Sequence, residues 1–73
     1  MFFDGRMKKY CISKDGKKKY LNCGDLVRCF NGEKWLSGTI QYSMYWNNGY
    51  YFLTYTGSKL KLEDMKEVEF ISF

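Results

Sequence analysis

The sequence contains no histidine and no proline, and only three of its 73 residues are cysteine. Without histidine the chain lacks the side chain that most often acts as a general acid or base. It also lacks a nucleophile elbow and a glycine-rich loop of the kind that cradles phosphate in nucleotide-hydrolysing enzymes. These absences argue against an enzyme. We expect a protein that binds and does not catalyse, with no cofactor, no metal and no small-molecule substrate.

The cysteines Cys11, Cys23 and Cys29 are odd in number and form no Cys-x-x-Cys pair. A disulfide scaffold needs an even set, and a structural zinc site needs four ligands. We therefore expect all three thiols to be reduced and at least two to be packed. The sequence also has no secretory signal and no apolar run near the roughly 18 residues of a membrane span. We expect a cytoplasmic protein without a membrane partner.

Aromatic residues, in contrast, make up 21% of the chain, which argues against intrinsic disorder. Residues 1–73 are predicted to form one small domain, because this length leaves no room for a second. Clusters rich in Gly, Asn and Asp divide short runs of β-favouring residues. Strands are predicted over residues 7–13, 18–21, 26–30, 35–42, 50–55 and 67–73. Residues 60–65 are ambiguous, and a helix over 60–70 is the competing prediction.

Five or six short strands with tight turns predict an all-β fold, either a small barrel or a rolled antiparallel sheet. Within 35–42, Leu36, Gly38, Ile40 and Tyr42 alternate with a second set that begins at Trp35. Alternation with period two is typical of a strand that buries one face. We expect Leu36, Gly38 and Ile40 to face the core and the second set to face outward.

The outward set, together with the neighbouring strand, supplies the predicted partner-binding residues, which are Arg28, Trp35, Ser37 and Thr39. Arg next to Trp is a combination favoured at protein interfaces. The simpler alternative is that Trp35 only covers its own hairpin. The aromatic residues around 42–55 are expected to divide between the core and an exposed patch.

Charge is distributed unevenly along the chain. Residues 1–28 carry eight Lys or Arg against three Asp, a net charge of +5, whereas residues 29–73 carry four Lys against five acidic residues, a net charge of −1. This asymmetry raises an alternative hypothesis of nucleic-acid binding. Because lysine outnumbers arginine, such contact would be weak and electrostatic. The candidate residues are Arg6, Lys8, Lys9, Lys14, Lys17, Lys18 and Lys19, with Arg28 on the neighbouring surface.

The stretches 24–30 and 31–40 resemble the start of an SH3-like or Tudor-like barrel. Such barrels often run Gly-x-x-Val-x-Ala, then a hairpin turn, then Trp-aromatic-x-Ala-x-Ile. The resemblance implies an SH3-like barrel of five to six strands, with Val27 and Cys29 pointing inward. It also implies a short 3₁₀ turn over residues 62–65 and a ligand contact at the position of Trp35.

A second resemblance covers most of the chain and rests on residues 22–25, 31–35, 49–53 and 62–68. These motifs are similar to an uncharacterised family of short clostridial and related Firmicutes proteins, often found on phages and integrated mobile elements. In that context we expect a single-domain binding module that acts on a host protein or ribonucleoprotein. One hypothesis is an inhibitor of a host defence system, similar in role to an anti-CRISPR protein. The oligomeric state stays open.

Overall fold

The computed structural model describes residues 1–46 and 49–71, which form eight β strands and one 3₁₀ turn. The three-stranded sheet has the order β1-β2-β3 and the five-stranded sheet has the order β7-β6-β5-β4-β8, and all neighbours are antiparallel. The elements are β1 (Phe2–Asp4), β2 (Lys9–Lys14), β3 (Lys17–Tyr20), β4 (Leu26–Phe30), β5 (Trp35–Tyr42), β6 (Tyr50–Thr54), β7 (Lys59–Leu60), the 3₁₀ turn (Leu62–Asp64) and β8 (Glu67–Phe70).

The all-β prediction and the 3₁₀ turn are confirmed, and β4 and β5 have the predicted bounds. The structure has more strands than the predicted five or six because β1 and β7 contain only three and two residues. Runs this short show no periodicity, and their strand state comes from pairing with β2 and β6. Asn47 and Asn48 of a predicted turn, and Ser72 and Phe73 of the predicted last strand, lie outside the described residues.

The two sheets stay open within the part of the chain that the structure describes, where no ladder joins β3 to β8. Instead of backbone pairing, a side-chain contact lies between these two edges. The ammonium of Lys19 in β3 lies 4.2 Å from the centroid of the Phe70 ring in β8. The fold is therefore a pair of sheets rather than a closed SH3-like ring.

The β2–β3 hairpin follows from the two residues at its turn. Asp15 and Gly16 both have positive φ, 54° and 77°. Two consecutive left-handed residues make the two-residue turn whose twist matches that of the flanking strands, and Asp and Gly tolerate it best. The register that results places Lys14 opposite Lys17 and Ile12 opposite Lys19.

Both sheets contribute to one buried core. Tyr10 and Leu21 from the three-stranded side pack with residues of the five-stranded sheet and the 3₁₀ turn: Val27, Cys29, Ile40, Phe52, Leu62 and Val68. The Tyr10 hydroxyl also donates a hydrogen bond to the Glu63 carboxylate. Cys11 and Cys29 are buried, as predicted for two of the three thiols. Burial raises the pKa of the Cys29 thiol to about 12, because the thiolate would lose its hydration.

Candidate binding face

The outward face of β5 carries the residues that alternation predicted. Gly38 and Ile40 are buried, whereas Trp35 is 39% exposed and Ser37 is exposed. Thr39 is half-buried, because neighbouring strands flank it on both sides. The register of β4 with β5 pairs Arg28 with Ser37, and directly opposed residues share one face of a sheet. The structure thus brings all four predicted residues to one surface, which we call the outer face.

Arg28 is held in place on this face by two neighbours. Its guanidinium carbon lies 4.7 Å from the centre of the Trp35 ring, a cation–π distance. Its Nε and Nη2 atoms donate to the same carboxylate oxygen of Glu69, at 2.9 and 2.7 Å. A guanidinium has five N–H donors, so three are left for an acceptor on a partner. Among the described residues, Glu69 is the only acceptor bound to Arg28.

Glu69 is a site residue that sequence reasoning missed. It lies in the predicted last strand, 67–73, but it was not among the candidate binding residues predicted from the sequence. The pairing of β8 with β4 places it directly opposite Arg28. Forty-one positions separate the two residues in the chain, and no local pattern indicates which strand β8 joins.

The outer face also carries a row of apolar and polar side chains that crosses β7, β6, β5 and β4. Register aligns Lys59, Leu53, Thr39 and Leu26 in turn, and the Ile71 amide donates to the Leu26 carbonyl to continue the row. Leu26 is 40% exposed and Ile71 is 46% exposed. Exposed apolar groups around a charged side chain that its neighbours hold in place, here Arg28, are typical of a surface that contacts a macromolecule.

Aromatic residues border this face at the distal hairpin. Trp46 stacks on Tyr51 with ring centroids 4.9 Å apart, which buries Tyr51 on the outer side of the sheet. Tyr42 lies on the same side of β5 as Gly38 and Ile40, but it is 56% exposed. It lies at the end of β5, where it packs edge-on against Tyr50 at 5.1 Å. Tyr45 is 92% exposed and Tyr55 is also exposed, in accord with the predicted division of these aromatic residues.

The seven basic residues proposed for nucleic-acid contact do not form one patch. Arg6, Lys8 and Lys9 lie at or before the start of β2, whereas Lys14 ends that strand opposite Lys17, about 17 Å away at 3.4 Å per residue. Lys18 and Lys19 lie between these two groups, opposite Ser13 and Ile12. Lys18 and Lys19 project from opposite faces of β3, over Phe2 and Phe70 respectively. The Lys9 ammonium donates a hydrogen bond to the side-chain oxygen of Asn22, at 2.6 Å. The structure groups only Lys14, Lys17 and Lys19, which share one face of the hairpin.

Residues 1–46 and 49–71 contain no candidate metal site and no candidate membrane-spanning helix. In that part of the chain no group of three or more Cys, Asp or Glu side chains is placed to hold a metal ion. None of its helical segments is long and apolar enough to cross a membrane. Cys23 is exposed, with its sulfur 3.6 Å from the side-chain oxygen of Gln41. The side chains that contact one another on the outer face are those of Arg28, Trp35 and Glu69.

Comparison with known proteins gives a family and no assigned activity. No curated protein and no solved structure is significantly similar to the chain. A family model described as "Domain of unknown function (DUF5348)" matches residues 1–70. This match agrees with the resemblance to an uncharacterised family noted above. Because it covers nearly the whole sequence, the chain belongs to the DUF5348 family.

Proposed function

We propose that this protein is a non-catalytic module that binds another protein through the outer face of its five-stranded sheet. The observation that supports this is the Arg28 guanidinium, held over the Trp35 ring by Glu69. Arg and Trp are the residue types that most often dominate binding energy at interfaces. Exposed Leu26 and Ile71 lie on the same face and supply apolar area around them.

The contacts of Arg28 also lower the cost of binding. A long, free side chain loses rotamer entropy when a partner immobilises it, about 0.5–1.5 kcal/mol for each such group. Arg28 is already restrained by a carboxylate and an indole ring. We infer that its remaining N–H donors receive a carboxylate or carbonyl oxygen of the partner, while the partner's apolar groups cover Leu26 and Ile71.

The nature of the partner is a further part of the proposal. The resemblance to proteins of phages and mobile elements favours a host protein or ribonucleoprotein in the cytoplasm. Inhibition of a host defence system would need only occlusion of a partner surface, which a small domain without catalytic groups can provide. The outer face favours recognition of a protein over nucleic acid, because it carries few basic residues, chiefly Arg28 and Lys59. The lysine-rich β2–β3 hairpin belongs to the other sheet.

Pull-down from host lysate with matched variants tests the proposal. We compare the wild type with Trp35→Ala and with Tyr45→Ala, which truncates an exposed aromatic residue beyond the end of β5 opposite to Trp35. Loss of an aromatic hot spot costs about 2 kcal/mol or more of binding free energy, so Trp35→Ala should weaken the affinity for the partner roughly thirtyfold and reduce the amount captured. Tyr45→Ala should capture as the wild type does. Each protein is tested in lysate with and without nuclease treatment.

A thermal unfolding curve for each variant separates binding from folding. Trp35 packs against Phe30 with ring centroids 5.4 Å apart, so some loss of stability is expected for Trp35→Ala. The variant should nevertheless stay folded at the temperature of the pull-down. Capture that Trp35→Ala retains in full, or that nuclease abolishes in the wild type, would contradict the proposal.

A further inference from the structure

The surface of the three-stranded sheet that faces away from the core carries two aromatic rings beside a buried cysteine. Phe2 in β1, Cys11 in β2 and Tyr20 in β3 are directly opposed in register, so their side chains share one surface. Their neighbours Phe3 and Tyr10 point the other way, into the core. Cys11 is fully buried but is not part of that core, because the side chains beside it cover it. We call this surface the Tyr20 face.

The Tyr20 ring is held flat against the sheet by a hydrogen bond. Its hydroxyl donates to the carboxylate of Asp4 at 2.8 Å, and Asp4 lies in β1, two strands away. Strands are about 4.8 Å apart, so a side chain that spans two such spacings lies across β2 instead of standing upright. One π face of the ring is then turned to the sheet and the other to solvent, and Tyr20 is accordingly half-buried. The bond orders the ring before a ligand arrives, which lowers the entropy cost of binding.

Phe2 supplies a second ring on the Tyr20 face. It is 44% exposed, and the ammonium of Lys18 lies 5.9 Å from the centroid of its ring. Exposed aromatic rings on a sheet are the means by which several single-strand-binding domains hold bases, because every base has a π face that can stack. Phe2 and Tyr20 therefore offer two stacking positions side by side.

Lysines lie at both ends of the Tyr20 face. Lys9 begins β2, and Lys18 is opposite Ser13 near the other end of that strand. From Lys9 to Ser13 the strand advances about 14 Å at 3.4 Å per residue. Lys9 donates to the neutral amide of Asn22, and neither lysine forms an ion pair with a carboxylate in the part of the chain that the structure describes. Both ammonium groups therefore keep a charge that a phosphate can neutralise.

Asp4 supplies the only carboxylate within β1, β2 and β3. Its oxygens already accept hydrogen bonds from the Tyr20 hydroxyl and from the backbone amides of Arg6 and Met7. The residues of this face and of the turns that border it leave a formal charge of +2, from four basic and two acidic side chains: Arg6, Lys8, Lys9 and Lys18 against Asp4 and Asp15. The charge of the surface favours an anionic partner.

We propose that the Tyr20 face binds single-stranded nucleic acid, with bases stacked on Phe2 and Tyr20 and phosphates beside Lys9 and Lys18. Unpaired bases suit this surface because their π faces are free to stack, whereas a duplex hides them. A strand that crosses the two rings passes both lysines, since one lies at each end of the face. Single strands of DNA and RNA share this chemistry. Because few cations contact the strand, binding is weak and falls as salt is raised.

Paired oligonucleotides test the stacking. A labelled oligothymidine of about eight nucleotides is compared, by fluorescence anisotropy at low salt, with a strand of the same length that lacks its bases. Both strands carry the same phosphates, so a difference in affinity reports contact with the bases. Stacking of one base changes affinity about fivefold or more, so the abasic strand should bind weaker by at least that factor. Oligouridine of the same length distinguishes the sources: tighter binding than oligothymidine assigns the face to RNA, weaker binding assigns it to DNA, and equal binding assigns it to both.

Two matched pairs of variants test the residues. Phe2→Leu removes a π face but keeps apolar bulk, whereas Phe2→Tyr keeps the ring. Phe2→Leu should weaken oligothymidine binding about fivefold, and Phe2→Tyr should leave it unchanged. Lys18→Gln and Lys17→Gln remove the same charge from neighbours that project from opposite surfaces of β3. Only Lys18→Gln should lower the slope of log affinity against log salt, by about 0.7 for one lost phosphate contact.

Four results would overturn the proposal. They are equal binding of the abasic strand, equal or tighter binding of a duplex, equal effects of the two members of either variant pair, and displacement of oligothymidine by a polyglutamate peptide of the same charge. Thermal unfolding curves check that each variant is folded. Trp35→Ala should bind oligothymidine as the wild type does, because Trp35 lies in the other sheet. This control separates failure of the nucleic-acid proposal from failure of the proposed protein-binding face.

Discussion

Gly38 in the middle of β5 occupies a position where the neighbouring strand leaves no room for a side chain. A Cβ atom there would collide with the Leu53 carbonyl oxygen and would lie 2.8 Å from the Thr54 Cα. These are backbone atoms of β6, which cannot rotate away as a flexible side chain could. The need for glycine therefore comes from the close approach of two strands.

We predict that Gly38→Ala lowers the free energy of unfolding by about 1–3 kcal/mol, the usual cost of forcing atoms into a packed site. Gly5→Ala is the matched control, because a Cβ at Gly5 would meet no atom within 4 Å. The control should change stability by less than about 0.5 kcal/mol. Denaturant unfolding measures both. Equal stability of the two variants would show that β5 and β6 separate at little cost.

At the scale of elements, a hydrogen bond ties together the two outer strands of the three-stranded sheet. The Tyr20 hydroxyl at the end of β3 donates to the carboxylate of Asp4 at the end of β1, at 2.8 Å. The backbone amides of Arg6 and Met7 also donate to this carboxylate. The Tyr20 bond first, and then the amide bonds, lower the pKa of Asp4 below 3.8. The same contact raises the pKa of Tyr20 above 10.0.

These pKa shifts predict how stability depends on pH. The Asp4 contribution is fully present above the unfolded-state pKa of 3.8 and is lost as pH falls through the lower folded-state pKa. The Tyr20 contribution is present below pH 10 and is lost as pH rises through its raised pKa. Tyr20→Phe should therefore raise the pKa of Asp4 in an NMR titration.

Tyr55→Phe serves as the control for this titration, because Tyr55 is exposed and follows β6 in the other sheet. It should leave the Asp4 titration unaltered. An Asp4 pKa that is the same in Tyr20→Phe and in the wild type would show that the backbone amides alone hold the carboxylate.

At the scale of the whole molecule, the shared core predicts that both sheets unfold together. Tyr10 and Leu21 on the three-stranded side are buried against Ile40 and Phe52 of the five-stranded sheet. Neither sheet has another buried apolar cluster of this size within the described residues. Separating the sheets would expose that surface on both sides, so neither is expected to persist alone.

Thiol labelling can test this cooperativity, because each sheet holds one buried cysteine. Cys11 lies in β2 and Cys29 lies in β4, whereas Cys23 is exposed between them. We predict that Cys23 is alkylated in the native protein. Cys11 and Cys29 should react only on global unfolding, with the same dependence on denaturant. Mass spectrometry of timed samples measures both rates, with Cys23→Ser used to remove the fast background.

A lower opening free energy at Cys11 than at Cys29 would contradict the prediction, since it would mean that the three-stranded sheet opens by itself. Burial alone would not make Cys11 and Cys29 react with the same dependence on denaturant, because two sheets that unfold independently could each protect their own thiol. Agreement between the two labelling curves and the global unfolding curve is therefore the informative result.

Short-range features of the sequence were sufficient to predict much of the fold and part of the outer face. The bounds of β4 and β5 follow from alternation and from the flanking turn residues. The Asp15-Gly16 turn follows from residues that tolerate a positive φ. The outward placement of Arg28 and Trp35 follows from the two-residue period of strands. Each of these depends on interactions within a few residues of chain, which a sequence displays directly.

Pairings between distant segments could be identified only from the tertiary structure. The strand state of β1 and β7, the open edge between β3 and β8, and the contact of Arg28 with Glu69 depend on which strand lies beside which. Alternation shows which way a side chain points but not what it meets, because many pairings bury the same apolar face. The carboxylate that holds Arg28 arises from such a pairing, so it becomes visible only once β8 lies beside β4.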